Sequence, residues 1–201
     1  MAVTIPTHRY TSDAFAALEN DRLWPRVWQL ACSVDHVASA GDFHELRIGP
    51  ISVLVVRGDD LELRAFQNAC RHRGSSLCEG TGSGLSELRC PFHRWSYDLR
   101  GRLREVPSRR QFGALDNYSD LIPVRVDTWG PLVFVNLDAD AEPLPEFLGA
   151  VPDDCAWARR RVPVHRRGVD RGAVQLEDAH RRLQRDLPRA GHPPRDAGDV
   201  R

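Results

Sequence analysis

Two short stretches carry the residues best suited to chemistry. In "CRHRG", Cys70 and His72 stand one residue apart; in "CPFHRW", Cys90 and His93 stand two apart. Seventeen residues, rich in glycine, separate His72 from Cys90. Thiolates and neutral imidazoles are metal ligands, and each pair lies on a turn after a strand-like segment, "AFQNA" or "SELR". Two such loops facing each other offer two sulfurs and two nitrogens to one place. Zinc accepts that set. Zinc fingers, however, usually draw both cysteines from one loop and both histidines from the other, whereas here each loop supplies one of each. That division suits a two-iron site in which the cysteines hold one iron and the histidines the other.

The elements that must position these loops read as mainly β. "FHELRI", "ISVLVVRG", "LELRAFQN", "LSELRC", "WSYDLRG" and "PLVFVNLD" are short strand-like runs punctuated by Gly, Asp-Asp or Pro. Their regular spacing predicts an antiparallel β-sandwich or barrel. "AGD" at 40–42, "GDD" at 58–60 and "LRG" at 99–101 read as hairpin turns. Upstream, "TSDAFAALENDRLWPRVWQL" predicts an N-terminal helix capped by Thr11 or Ser12. Phe15, Leu18, Leu23 and Val27 recur there at helical spacing, and Pro25 breaks or ends the helix. Cys32 and Cys78 have no histidine partner and read as buried small hydrophobes or free thiols. Trp95 and Tyr97 either shield the metal and donate hydrogen bonds towards its sulfurs, or simply pack.

Composition narrows the setting. The chain's 201 residues suffice for one sizeable core. Five cysteines, an odd number, with no basic-then-apolar leader, argue against a disulfide framework. No run approaches the roughly 20 apolar residues of a membrane helix, so a cytoplasmic location is expected. Net charge is zero, yet residues 1–157 hold 16 Arg against 22 acidic residues and residues 158–201 hold 12 against 6.

That basic tail has a restricted alphabet. From Ala158 to Arg201 only ten residue types occur, and all ten can be encoded by codons beginning with C or G. A GC-rich gene whose frame slips, so that old third positions become first positions, produces that alphabet. Read one nucleotide later, a back-translation of "QLEDAHRRLQRDLPRAGHPPRD" permits "NWKTLIDAFNETYHV" and, two loosely determined positions on, "THPE". The tail is therefore expected to be a poorly ordered product of a shifted frame. Its arginines are poor evidence for nucleic acid or membrane as a partner. Asp178, His180, Asp186 and His192 within it fit no helical face well.

The flanks of the two loops extend the pattern. "NACRHRGSSL" and "CPFHRWSYDLRG", with "GDF", "VLVVR" and "TWGPLVFVNLD", resemble the cluster loops and framework strands of Rieske proteins. They are most similar to the N-terminal Rieske domain of the large (alpha) subunit of bacterial aromatic-ring-hydroxylating oxygenases, over about residues 9–150. The resemblance implies a [2Fe–2S] cluster with Cys70 and Cys90 on one iron and His72 and His93 on the other. Such centres pass single electrons at roughly −150 to +300 mV. One departure is Arg94, where many members have glycine.

The resemblance further implies a ferredoxin or flavin-dependent reductase as electron donor and a trimeric assembly. It implies a mononuclear Fe(II), held by two His and one carboxylate, only in the intact family member. The shifted-frame peptide resembles the helix of that second iron. The chain as written lacks it, so no oxygenase turnover is expected from this chain alone. The expected layout is an N-terminal helical segment over 1–30, the Rieske domain over 31–150, and the tail, a remnant of the catalytic domain's start, over 151–201. The alternatives are a stand-alone Rieske ferredoxin and a zinc-binding interaction module. Colour separates the last, since a Rieske centre is red-brown and zinc colourless.

Overall fold

The computed structural model describes residues 5–112 and 119–155. The chain divides into two units, Met1–Val164 and His165–Arg201, and the second lies wholly outside the described residues. Of the predicted tail, 151–201, only residues 151–155 are described; the remainder, with Asp178, His180, Asp186 and His192, lies outside the described residues.

Of the two candidate caps, Ser12 is used. It sits in extended backbone, and its hydroxyl accepts the Phe15 N–H at 3.3 Å, opening α1 (Asp13–Arg22). Pro25 stands in a separate 3-10 turn, Trp24–Arg26, and Val27 beyond it is extended rather than helical. No helix among the described residues is long and apolar enough to cross a membrane.

Ten strands follow among the described residues. They are β1 (Gln29–Ser33), β2 (Phe43–Ile48), β3 (Ile51–Arg57), β4 (Leu63–Gln67), β5 (Thr81–Gly82), β6 (Leu88–Arg89), β7 (Ser96–Tyr97), β8 (Leu103–Glu105), β9 (Pro123–Trp129) and β10 (Leu132–Asn136). Two short helices, α2 (Leu144–Leu148) and α3 (Val151–Asp154), end the described chain. The fold is mainly β, as predicted. Seven strands form one sheet in the order β1-β10-β9-β4-β3-β2-β5, and β6-β7-β8 form a smaller one. All neighbouring strands pair antiparallel. β1 returns against β2, so the large sheet curls into a half-barrel.

β3 explains how the two sheets join. Val53 and Val55 point into the half-barrel with Ala65, Val124, Val133 and Val135. Leu54 and Val56, one residue out of phase, point the other way, onto Phe66, Leu88, Tyr97 and Leu99. Both faces of the strand are buried, which is why its sequence runs apolar without alternation. Each such side chain contributes about 1.5–3 kcal/mol by leaving water.

Two predicted turns are hairpins: 58–62 joins β3 to β4, and 98–102 joins β7 to β8 with Gly101 at φ 81°. "AGD" is not a hairpin. Gly41 (φ 81°) lies in a turn just before β2 and so close to Leu85 that a Cβ would stand 2.3 Å from its carbonyl oxygen. The β2–β3 hairpin instead turns at Gly49-Pro50.

Candidate metal centre

Each sheet contributes one loop. The first, 70–75, leaves β4 of the large sheet; the second, 90–95, is the tip of the β6–β7 hairpin in the small one. Their backbones match bond for bond. In the first, the Cys70 N–H donates to Ser75 O at 2.8 Å and the Gly74 N–H to Cys70 O at 2.7 Å. In the second, the Cys90 N–H donates to Trp95 O at 2.8 Å and the Arg94 N–H to Cys90 O at 3.2 Å. The fifth residue of each is left-handed: Gly74 at φ 75°, Arg94 at φ 62°.

These loops bring the four predicted residues together. The rings of His72 and His93 meet edge to face with centroids 4.6 Å apart. Cys70 and Cys90 are buried free thiols within hydrogen-bonding reach of each other. Tyr97, fully buried on β7, places its hydroxyl 3.4 Å from Cys70 Sγ while accepting the Arg71 N–H at 3.1 Å. With that lone pair occupied, the phenolic proton is free to point at the sulfur. Burial pushes the Tyr97 phenol upward, so it stays a donor.

The two sulfurs sit in different fields. Burial raises Cys70, despite the Tyr97 hydroxyl and the His72 N–H. Burial also opposes ionisation of Cys90, but the N–H groups of His93 and Phe92 outweigh it and hold that thiol below its ordinary value. Burial lowers His72, with His93 and Arg73 adding to the effect, which keeps the ring neutral.

A test of fit comes from His72 itself. Its Nδ1 is buried with no hydrogen-bond partner in a structure that satisfies most such atoms. An orphaned buried ring nitrogen costs about 1–3 kcal/mol unless it ligates something. Two thiols, a neutral ring with an unpaired nitrogen and a second ring edge-on to it suit a soft, N- and S-liganded iron–sulfur group. Among the described residues no three His, Cys, Asp or Glu side chains converge as one site. A binuclear cluster needs only two protein ligands per iron.

Sequence reasoning missed three supports. Asn68, buried just before the first loop, uses its whole amide. Its Nδ2 donates to Cys78 O (2.7 Å) and Ser52 Oγ (3.0 Å), and its Oδ1 accepts the N–H of Leu77 (2.9 Å) and Cys78 (3.2 Å). It thereby ties down the returning arm of the loop. Phe112, remote in sequence, stands edge-on to both His72 and Trp95, whose rings stack at 5.0 Å. Arg89 donates to Glu87, Glu105 and the Arg94 carbonyl. Only a fold could reveal Phe112. Asn68 beside a Cys-x-His turn was the one visible hint. Cys32 and Cys78 are free thiols, buried and half-buried, as expected.

Comparison with known proteins agrees with this geometry. The chain is 37% identical over 142 residues to biphenyl 2,3-dioxygenase subunit alpha of Rhodococcus jostii (strain RHA1), a match covering 70% of this chain and 31% of that one. It is 32% identical to the carnitine monooxygenase oxygenase subunit of Escherichia coli (strain K12), covering 73% and 40%. The chain thus spans about a third of the length of the curated relatives it matches. Among solved structures, the apo quaternary ammonium Rieske monooxygenase CntA superposes with a TM-score of 0.71 at 26% identity, over 78% of this chain and 47% of that one. Naphthalene 1,2-dioxygenase with indole bound gives 0.64 at 28%, over 72% and 33%. The Rieske [2Fe-2S] domain family matches residues 27–128, a span holding both loops and the strands that carry them, and the chain belongs to that family.

Proposed function

We propose that this chain is the electron-relay part of a ring-hydroxylating oxygenase alpha subunit, with Cys70 and Cys90 holding one iron of the cluster and His72 and His93 the other. One observation carries the reading: two loops of identical backbone form bring those four side chains together, and His72 Nδ1 is buried without a partner. Bound there, the cluster takes up and releases one electron, at a potential raised by two neutral histidines in place of thiolates.

The chain's own residues do the rest. The Phe92 and His93 N–H groups favour the anionic form of Cys90, and the Tyr97 hydroxyl does the same for Cys70. Trp95 and Phe112 cover His72. His93 lies on an exposed tip beside Phe92, which is 74% exposed, so the tip is the natural contact for a redox partner.

In this reading a ferredoxin or flavin-dependent reductase donates the electron, and a mononuclear iron, in a trimer of intact subunits, receives it. The layout is a helical segment (1–30), the cluster domain (31–150) and a frame-shifted tail (151–201). The test is direct. The purified chain should be red-brown, contain about two irons and two acid-labile sulfides per chain and reduce reversibly by one electron. It should also lose the cluster on Cys90→Ser. A colourless, zinc-loaded chain overturns the assignment. Resequencing the gene from codon 145 in all three frames tests the tail: an intact frame with no "NWKTLIDAFNETYH" coding potential sinks that part alone.

A further inference from the structure

The two ligand loops share a backbone but differ at its one left-handed position. Gly74 adopts it freely, with no heavy atom within 4 Å of where a Cβ would stand. Arg94 adopts it at φ 62°, a conformation that L-residues avoid. A non-glycine residue there disfavours the turn by about 5- to 30-fold relative to glycine. A local interaction has to hold it.

Arg89, the last residue of β6, is placed to do so. Its Nε donates to Glu87 at 2.6 Å, its Nη2 to Glu105 at 3.1 Å and its Nη1 to the Arg94 carbonyl at 3.4 Å. The carboxylates come from opposite sides of the small sheet: Glu87 precedes β6 and Glu105 ends β8. Glu105 is brought into position by an irregularity in the ladder. Ser96 faces Glu105 while Tyr97 faces Leu103, which leaves Arg104 as the extra residue of a bulge. A planar guanidinium fixed at two corners by carboxylates has its third corner aimed, not free.

We propose that Arg89 is a positioning residue for the second ligand loop. The Glu87–Arg89–Glu105 bridge fixes a guanidinium whose remaining arm holds the Arg94 carbonyl, and with it the left-handed turn that presents His93. The first loop has glycine at this position and needs no such clamp. The inference concerns the loop's backbone and goes beyond the cluster assignment. It holds whichever metal the loop carries.

Hydrogen–deuterium exchange on the full chain, read by mass spectrometry over peptides spanning 88–97, tests it. The Cys90 and Arg94 amides close the turn and report its opening. Arg89→Gln should speed their exchange about fivefold or more in the parent, and less than about twofold when Arg94→Gly has removed the strain. Arg89→Lys should behave like Arg89→Gln, because a point charge cannot span three acceptors. Equal acceleration in both backgrounds, or none in either, overturns the proposal. Should Arg89→Gln fail to yield folded protein, Glu105→Gln loosens one corner, and the same comparison between backgrounds decides. A zinc-loaded chain gives an equally valid reading, so failure of the clamp and failure of the cluster assignment are separable.

Discussion

Replacing Asn68 by alanine should cost this domain about 2–6 kcal/mol. The side chain is 3% exposed and makes four hydrogen bonds, three of them to the arm that returns from the first ligand loop. Truncation leaves the buried Leu77 N–H wholly unpaired, at about 1–3 kcal/mol, and the half-buried N–H and C=O of Cys78 partly so, at about 0.5–1.5 each. Ser52 loses little, since its hydroxyl still donates to Glu45 at 2.7 Å. Against a typical total of about 5–15 kcal/mol, that loss is large. Urea unfolding followed by tryptophan fluorescence measures it directly. Asn68→Asp adds a check of sign. It keeps the acceptor for Leu77 but turns a carboxylate oxygen towards the Cys78 carbonyl, so the folded state favours the protonated acid. A folded value raised above the unfolded one means a contribution from this carboxyl, relative to the parent, that is greatest at low pH and lost as pH rises through about 4 and above. An Asn68→Ala variant within 1 kcal/mol of the parent, or an Asn68→Asp variant that gains stability relative to the parent as pH rises, refutes this account of the loop.

Further outcomes follow from the same contacts. Tyr97→Phe removes the hydroxyl 3.4 Å from Cys70 Sγ, which in the proposed assignment would steady that ligand most in the reduced state. The midpoint potential should fall by about 20–60 mV by protein-film voltammetry, the equivalent of one hydrogen bond of 0.5–1.5 kcal/mol for one electron; an unchanged or raised value refutes it. Burial alone would raise Glu45, but the Gly80 N–H, the Ser52 hydroxyl and Arg47 outweigh it and hold the carboxyl below its ordinary 4.5. That contribution is complete above pH 4.5 and fades as pH falls through the folded value. Glu45→Gln should therefore flatten the acid limb of the stability curve below pH 4.5. Burial lifts the Cys32 thiol to about 12 and the Cys78 thiol to about 11. In the native chain at pH 8, iodoacetamide should label both at least about 100-fold more slowly than a peptide thiol. Fast labelling of either would contradict its placement.

The parts legible in the sequence were those whose signal is local. β2, β3 and β10 announce themselves because apolar runs such as "VLVV" and "VFVN" end at Gly-Pro or Asp punctuation. The Cys and His spacing was legible because both loops are short and self-contained. β1 was masked by the Trp-Pro turn just before it and by its polar first residue, Gln29. β9 was masked by Pro123 at its start and by Arg125 and Asp127 on its outer face, although it lies mid-sheet between β10 and β4. "AGD" carries turn residues for another reason: Gly41 lets the backbone of Leu85 approach. Phe112 over His72 and the three-way bonding of Arg89 are tertiary facts with no local mark.

The placement of the two loops on different sheets has a mechanical consequence. In the proposed assignment one pair of ligands hangs from β4 and the other from the β6–β7 hairpin, and between them lies the apolar seam of Leu54, Val56 and Phe66 against Leu88, Tyr97 and Leu99. Whatever occupies the loops sutures the two sheets together at one end of that seam, as a crosslink that closes only in the folded chain. Metal loading and sheet docking are then a single thermodynamic event. A chelator acts on this protein as a denaturant of one interface, and a mutation that loosens the seam reads out first as a loss of iron.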